Sequence, residues 1–173
     1  RAELSRFEHR KKYLDIIYLI KSGQRSSYLK LEAQLKTYPL YPYLEYTDKI
    51  YRISRQTPDS ITAFIEQCQD TPLANQLRHN WLYSLAKRGQ WQTFLDHYDT
   101  ENSTGKNACS FGFALYKQNR IEEAKAQARR LWLVDYSQPD ECDPVFKLWR
   151  DRGELTADAA WQRYSLALRN NKV

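Results

Sequence analysis

The chain has 173 residues, of which 42% are hydrophobic and 28% charged, a balance that predicts a folded chain rather than a disordered one. It carries 27 Lys and Arg against 21 Asp and Glu, and no apolar run is long enough for a transmembrane helix. With only 5 Gly and 6 Pro, it has too few turn residues for an all-β fold of many short strands.

Apolar residues recur every three or four positions along nearly the whole chain, a period that predicts helices throughout. Gly, Pro and polar stretches divide this pattern into ten segments, and the clearest break is the loop 99–106. Ser26 or Ser27 is the predicted N-cap of the second helix and Thr156 that of the tenth, and residues 57–60, with Pro58 near the first turn, are the predicted start of the fourth. The predicted helices cover about residues 3–22, 26–37, 44–55, 58–68, 73–88, 90–98, 107–118, 120–134, 141–151 and 156–170.

The fifth helix with the sixth, and the seventh with the eighth, form predicted helical hairpins whose turns hold Gly89 and Asn119. These turns are about 30 residues apart, rather than the 34 of a tetratricopeptide repeat. We therefore predict an irregular right-handed α-superhelix of about ten stacked helices with tetratricopeptide-like hairpins. Residues 1–173 are expected to form a single segment of this kind.

The positive charge is concentrated in the first 60 residues, which hold 12 basic and 7 acidic side chains. Such an excess could face nucleic acid, an acidic lipid surface or a cell-wall glycan, although interspersed acids favour simple solvated helix faces. A binder of single-stranded nucleic acid needs clustered cations that alternate with exposed aromatic residues. The densest cluster, residues 10–12, is short, so we predict no nucleic-acid partner.

The chain shows no metal-binding pattern. No C-x-x-C is present, and no His stands at zinc spacing from a Cys, so no metal and no cofactor are predicted. Composition alone leaves open one disulfide with a spare thiol, as in an oxidising compartment, or three buried thiols, as in the cytosol. The residues concerned are His9, His79, His97, Cys68, Cys109 and Cys142.

Catalytic patterns are equally scarce. The chain has no glycine-rich phosphate loop and no serine in a nucleophile turn. Glu122 with Glu123, or Asp140 with Glu141 and Asp143, could in principle supply the two carboxylates of a glycoside-cleaving site. Acids at helix starts more often complement the helix dipole, so no catalytic residue is predicted.

Residues 38–46 (YPLYPYLEY) place four Tyr and two Pro in one short segment. Because Pro disfavours helix in the residue before it, Tyr38 and Tyr41 are predicted to be extended, with the next helix beginning between Tyr43 and Tyr46. We expect a mainly structural corner in which Tyr43 and Tyr46 are buried. The other interpretation is an aromatic surface that stacks on sugar rings or on a partner domain.

A second distinctive segment, residues 137–150 (SQPDECDPVFKLWR), brackets an acidic, Cys-containing helix start between two Pro residues. With residues 38–46, it resembles the N-terminal superhelical region of the soluble lytic murein transglycosylases of Gram-negative bacteria. The resemblance covers roughly residues 25–168. Its other landmarks, in order, are Ala86–Trp91, Cys109, Glu123-Ala124, Leu131–Leu133 and Cys142.

In that family a U-shaped α-superhelical domain precedes a linker domain and a lysozyme-like catalytic domain. The family's enzymes cleave between N-acetylmuramic acid and N-acetylglucosamine without water and leave a 1,6-anhydro end. Their Glu-Ser pair, Gly-Leu-Met-Gln stretch and Ala-Tyr-Asn-Ala-Gly stretch are absent here, and the chain contains no Met. The resemblance therefore implies a non-catalytic, opening scaffold segment of a periplasmic enzyme. Its partners would be peptidoglycan glycan strands, through the parent enzyme, and the rest of the same polypeptide.

The resemblance also implies a disulfide between Cys109 and Cys142, which match the family's paired cysteines, and leaves Cys68 as a buried thiol. In an array of alternating helices, the helix starts that carry the two paired cysteines lie at the same end of the stack. The family motif itself is interpreted as scaffold, or as a contact to glycan or to a partner. Its residues are Tyr38, Pro39, Tyr41, Pro42, Tyr43, Glu45 and Tyr46.

The alternative function is a tetratricopeptide-like module for protein interaction, for example in the cytosol. The state of the cysteines discriminates between the two, because a disulfide favours the periplasm and free thiols favour the cytosol.

Overall fold

The computed structural model describes residues 5–101, 103 and 105–170, and among them it contains ten α-helices and no strand. The predicted all-α fold is therefore confirmed. Residues 3 and 4 of the predicted first helix, and residues 102 and 104 of the predicted loop, lie outside the described residues. The helices are α1 (Arg6–Lys21), α2 (Arg25–Glu32), α3 (Tyr41–Tyr51), α4 (Pro58–Gln67), α5 (Pro72–Lys87), α6 (Trp91–His97), α7 (Lys106–Lys117), α8 (Ile121–Trp132), α9 (Asp143–Asp151) and α10 (Ala157–Arg169).

Local hydrogen bonds begin several of these helices where the sequence predicts. The hydroxyl of Thr57 accepts from the backbone N–H of Ser60 at 3.2 Å, and that of Thr156 accepts from Ala159 at 3.2 Å. The predicted cap at Thr156 and the predicted helix start at residues 57–60 are confirmed. A reciprocal capping box, in which the backbone N–H of Ser5 donates to Oε2 of Glu8 at 2.8 Å, begins α1.

Three boundary predictions are wrong. Neither Ser26 nor Ser27 caps α2, which begins at Arg25 because Gly23, with φ of 74°, completes the turn after α1 and lets the next helix begin at once. The same helix ends at Glu32 and passes into a 3₁₀ turn, Ala33–Leu35. Finally, Tyr41 is helical rather than extended, because Pro42 lies in the first turn of α3, where no backbone N–H donor is needed.

The described chain divides into two compact units between Trp81 and Leu82, within α5. In the first unit, α1 packs against α2 and α3. Arg25 and Arg52 both lie within ion-pair distance of Asp48, so part of the basic excess is neutralised inside this unit. The core cluster that joins these helices consists of Ile16, Ile20, Tyr28, Leu35 and Leu44.

In the second unit, α7 is the central helix and packs against α6, α8 and α9. The hydroxyl of Tyr116 donates to Oε2 of Glu154 at 2.7 Å, which attaches α7 to the turn after α9. The indole N–H of Trp132 donates to the carbonyl of Ala159 at 3.1 Å and so attaches α8 to α10. The core cluster includes Ala108, Cys109, Leu115, Ala124, Ala128, Cys142, Val145 and Trp149.

Candidate functional site

A disulfide joins Cys109 in the first turns of α7 to Cys142 at the end of the 3₁₀ turn Asp140–Cys142. Both half-cystines are fully buried in the core of the second unit. The bond therefore holds the acidic turn that precedes α9 against the side of α7. Cys68, at the end of α4 in the first unit, is a buried thiol, and burial raises its pKa.

The family motif at residues 38–46 lies in the first unit and is only partly buried. The Tyr38 ring stacks on His9, with ring centroids 5.1 Å apart, and meets Tyr13 edge-on at 6.3 Å. Leu44 is the fully buried residue of the segment and belongs to the core. Tyr43 is 47% exposed, so the expectation that it is buried is wrong. Leu44 faces α1 and α2 instead, and Tyr43, one position earlier in the helix, therefore points to a different side of it.

Two other residues of the motif, Tyr41 and Glu45, lie in a polar cluster with Glu32. The hydroxyl of Tyr41 donates to Oε1 of Glu32 at 2.6 Å, and this hydrogen bond adds to the burial that raises the pKa of Tyr41. Oε2 of Glu45 is buried and accepts no hydrogen bond from the described residues. Burial raises the pKa of Glu45, the nearby charge of Glu32 adds to the rise, and Lys49 opposes it. Tyr46 is half-buried, Pro42 is half-buried and Pro39 is exposed.

Glu122 and Glu123, the first acidic pair considered for catalysis, are both engaged in ion pairs. Oε1 of Glu123 accepts from Nε of Arg120 at 2.8 Å, and this contact lowers the pKa of the Glu123 carboxyl. Oε1 of Glu122 lies 3.0 Å from Nζ of Lys125. A general acid needs a raised pKa, so the lowered pKa of Glu123 suits a surface ion pair and not acid catalysis.

A concave site that the sequence does not predict lies in the second unit. It has a volume of about 360 Å³, and we name it the Trp91 pocket. One side is formed by the end of α5 and the start of α6, the other by α7 and by the acidic turn that the disulfide holds. Its lining includes Tyr83, Lys87, Trp91, Phe113, Asp140 and Glu141.

Both aromatic rings and charged groups line this pocket. The rings of Trp91 and Phe113 meet edge-to-face with centroids 5.1 Å apart, and Nζ of Lys87 lies 4.9 Å from the centroid of Tyr83. Glu141 accepts from the Tyr83 hydroxyl at 3.3 Å and from Nζ of Lys106 at 2.8 Å. The hydrogen bond from Lys106 lowers the pKa of Glu141, which is therefore anionic at neutral pH.

Sequence reasoning missed this pocket because its rings come from three separate helices. Trp91 stands in the sequence as one apolar residue of a short helix, and the spacing to Tyr83 or Phe113 carries no periodic signal. The only local sign is the motif Lys87–Trp91, in which Gly89, with φ of 69°, turns the chain sharply and presents Trp91 at the start of α6.

The part of the chain that the structure describes contains no group of three or more His, Cys, Asp or Glu side chains that could hold a metal ion. Within the same residues, no helix combines the length and the apolar character that crossing a membrane requires.

Solved structures with the same arrangement of helices are soluble lytic transglycosylases. A 1.65 Å crystal structure of the 70 kDa soluble lytic transglycosylase from Escherichia coli matches with a TM-score of 0.83 at 30% identity, over 96% of this chain and 27% of that one. An inactive mutant of the lytic transglycosylase Slt from Pseudomonas aeruginosa matches with a TM-score of 0.80 at 32% identity, over 98% of this chain and 27% of that one. The fold is thus that of a helical segment found in these enzymes.

Sequence comparison gives the same result. The soluble lytic murein transglycosylase of Escherichia coli K12 is 31% identical over 162 residues, and that of Salmonella typhimurium is 30% identical over 162 residues. These alignments cover 94% of this chain, which spans about a quarter of the length of the curated relatives. No protein-family model matches the chain. The chain is homologous to a segment of the Escherichia coli soluble lytic murein transglycosylase, a larger protein.

Proposed function

We propose that this chain is a non-catalytic scaffold segment of a periplasmic soluble lytic transglycosylase that acts on peptidoglycan. The observation that carries the proposal is the continuous similarity to such enzymes over 94% of the chain, in sequence and in the positions of the helices. The segment would act with the rest of the same polypeptide, whose lysozyme-like domain would cleave the glycan to 1,6-anhydro ends. In this proposal residues 1–173 form one structural segment of the parent enzyme.

Two features of the chain support this role. The sequence lacks the family's catalytic motifs, and its acidic pair Glu122–Glu123 is engaged in surface ion pairs. The disulfide between Cys109 and Cys142 suits an oxidising compartment, since cytosolic thiols are normally kept reduced. Together they favour a structural role on the outer side of the cytoplasmic membrane.

The test is a segment exchange. The homologous segment of the Escherichia coli enzyme is replaced by this chain, and the hybrid and the isolated chain are each incubated with murein sacculi. We expect the hybrid to release 1,6-anhydro muropeptides and the isolated chain to release none. A hybrid that carries Leu115→Asp, a charge in the core of the second unit, is the matched control and should lose activity. Release by the isolated chain, or a folded but inactive hybrid, would contradict the proposal.

A further inference from the structure

The Trp91 pocket has exposed aromatic surface that core packing does not require. Side chains that serve only the core of this unit, such as Phe94 and Trp149, are 0% and 2% exposed. Tyr83, Trp91 and Phe113 are each only partly buried and line a common concavity. Three rings that remain accessible around one cavity are typical of a binding site, in which apolar walls combine with a few placed polar groups.

The size of the pocket limits what can occupy it. Its volume of about 360 Å³ lies at the lower end of the range for small-molecule sites, which is about 300–1,000 Å³. It can hold one residue of a chain-like ligand, or a small molecule of similar size, but no secondary-structure element of a protein partner.

The charges of the pocket favour a neutral ligand. Glu141 is paired with Lys106 at 2.8 Å, and the remaining charges are one ammonium, of Lys87, and one carboxylate, of Asp140. A site for a phosphate or an acidic lipid would instead concentrate cations. Balanced charges at the edge of an aromatic cavity match a ligand that has many hydroxyl groups and no net charge.

We propose that the Trp91 pocket binds a pyranose ring of a glycan chain. The C–H face of a pyranose packs on the π face of an indole, which carries partial negative charge. The sugar hydroxyls donate to the carboxylates of Asp140 and Glu141, and Lys87 donates to a hydroxyl or ring oxygen, all of them charge-assisted hydrogen bonds. The disulfide positions the acceptors, because Cys142 directly follows Glu141.

The choice of glycan rests on the proposed function. A scaffold that accompanies peptidoglycan cleavage would meet β-1,4-linked N-acetylated sugars, so the probe is N,N′,N″-triacetylchitotriose. A pocket of this kind would guide a glycan strand along the segment and leave the chemistry to the rest of the enzyme.

The experiment is a titration of the full chain with the trisaccharide, followed by the indole N–H signals in two-dimensional ¹H–¹⁵N NMR spectra. Trp91→Phe assigns the signal of Trp91. We expect that signal to shift and saturate, and the signal of Trp161, which is 65% exposed on α10, to stay in place. An unchanged Trp91 signal, or equal shifts at Trp91 and Trp161, would overturn the proposal.

Variants measure the contribution of each group. Trp91→Ala is expected to raise the dissociation constant at least about tenfold, which corresponds to a loss of about 1.4 kcal/mol in binding free energy. Asp140 is exposed, and Asp140→Asn should lower the affinity for the trisaccharide severalfold while leaving thermal unfolding unchanged. A loss of binding in this variant would therefore not be due to a loss of folding. Trp161→Ala, the matched control, should bind like wild type. Wild-type affinity in both Trp91→Ala and Asp140→Asn would exclude the pocket.

The failure of this inference is distinguishable from that of the proposed function. If the hybrid enzyme is fully active but the chain does not bind the trisaccharide, the scaffold role is supported and sugar binding at the Trp91 pocket is contradicted. If the chain binds the trisaccharide through Trp91 but gives a folded, inactive hybrid, sugar binding at the pocket is supported and the scaffold role is contradicted.

Discussion

Gly112 and Val145 approach each other so closely that a Cβ atom added to Gly112 would lie 2.9 Å from Cγ2 of Val145. The same atom would lie 3.3 Å from Cγ of Gln127. Gln127 is itself held in place, since its side-chain N–H donates to the carbonyl of Ala108 at 3.2 Å. At this point α7 packs against α8 and α9 with no room for a side chain.

We expect Gly112→Ala to destabilise the chain by about 1–3 kcal/mol, the usual effect of overpacking a core. The sign is informative, because the same change in an open helix would stabilise it by about 1 kcal/mol. Urea unfolding followed by circular dichroism measures the difference. In a Val145→Ala background the effect of Gly112→Ala should be smaller, and a Gly112→Ala variant more stable than wild type would contradict the close approach.

Removal of the disulfide by the double change Cys109→Ala and Cys142→Ala should lower the free energy of unfolding by about 3–4 kcal/mol. The bond closes a loop of 33 residues, and the chain-entropy relation gives this magnitude for such a loop. Cys68→Ala is the control and should cost about 1 kcal/mol, since it removes only one buried sulfur. Thiol titration of the unfolded, unreduced chain should find one reactive cysteine. Three would show that the bond does not form.

Tyr41→Phe should cost about 1–2 kcal/mol, because it removes a hydrogen bond from a partly buried hydroxyl to the carboxylate of Glu32. Tyr43→Phe is the matched control. Its ring is 47% exposed, so we expect a change below about 0.5 kcal/mol. Thermal unfolding of both variants decides whether the corner motif stabilises the first unit through Tyr41. Equal effects at the two positions would show that the hydrogen bond contributes nothing.

Glu45 should make the chain less stable as the pH rises. Burial raises the pKa of its carboxyl, so the folded chain holds this proton more tightly than the unfolded chain does. The contribution is full below the unfolded value of about 4.3 and is lost as the pH rises through the folded pKa. Glu45→Gln should therefore be more stable than wild type at about pH 8, and this gain should shrink toward about pH 4. Denaturant unfolding at the two pH values measures it, and an equal effect at both would contradict the raised pKa.

The order of the helices was predictable because their signals are local. The caps at Thr57 and Thr156 and the turn at Gly89 depend on residues within one helical turn, and the chain follows them. The orientation of the residues 38–46 was not predictable in the same way. A Pro at this point can either precede or open a helix, and the side of the helix that faces the core is set by its packing against α1 and α2 rather than by local residues.

Contacts between residues that are distant along the chain could not be predicted from local sequence patterns. Gly112 lies within α7, where a glycine lowers the helix propensity of the sequence. In the structure it is the position at which α7 contacts both α8 and α9. The Trp91 pocket depends likewise on rings and carboxylates brought together from α5, α6, α7 and the acidic turn. The disulfide was predictable only through the family resemblance, because three cysteines permit more than one pairing.

The loop closed by Cys109 and Cys142 contains the whole of α8 and the extended connection that follows it, residues 133–139. This connection lies on the surface and holds Tyr136, which is 55% exposed. A protease that nicks it therefore separates the backbone without separating the pieces, since the fragments before and after the nick stay linked through sulfur. On an electrophoresis gel the nicked chain would migrate as one molecule until a reductant is added.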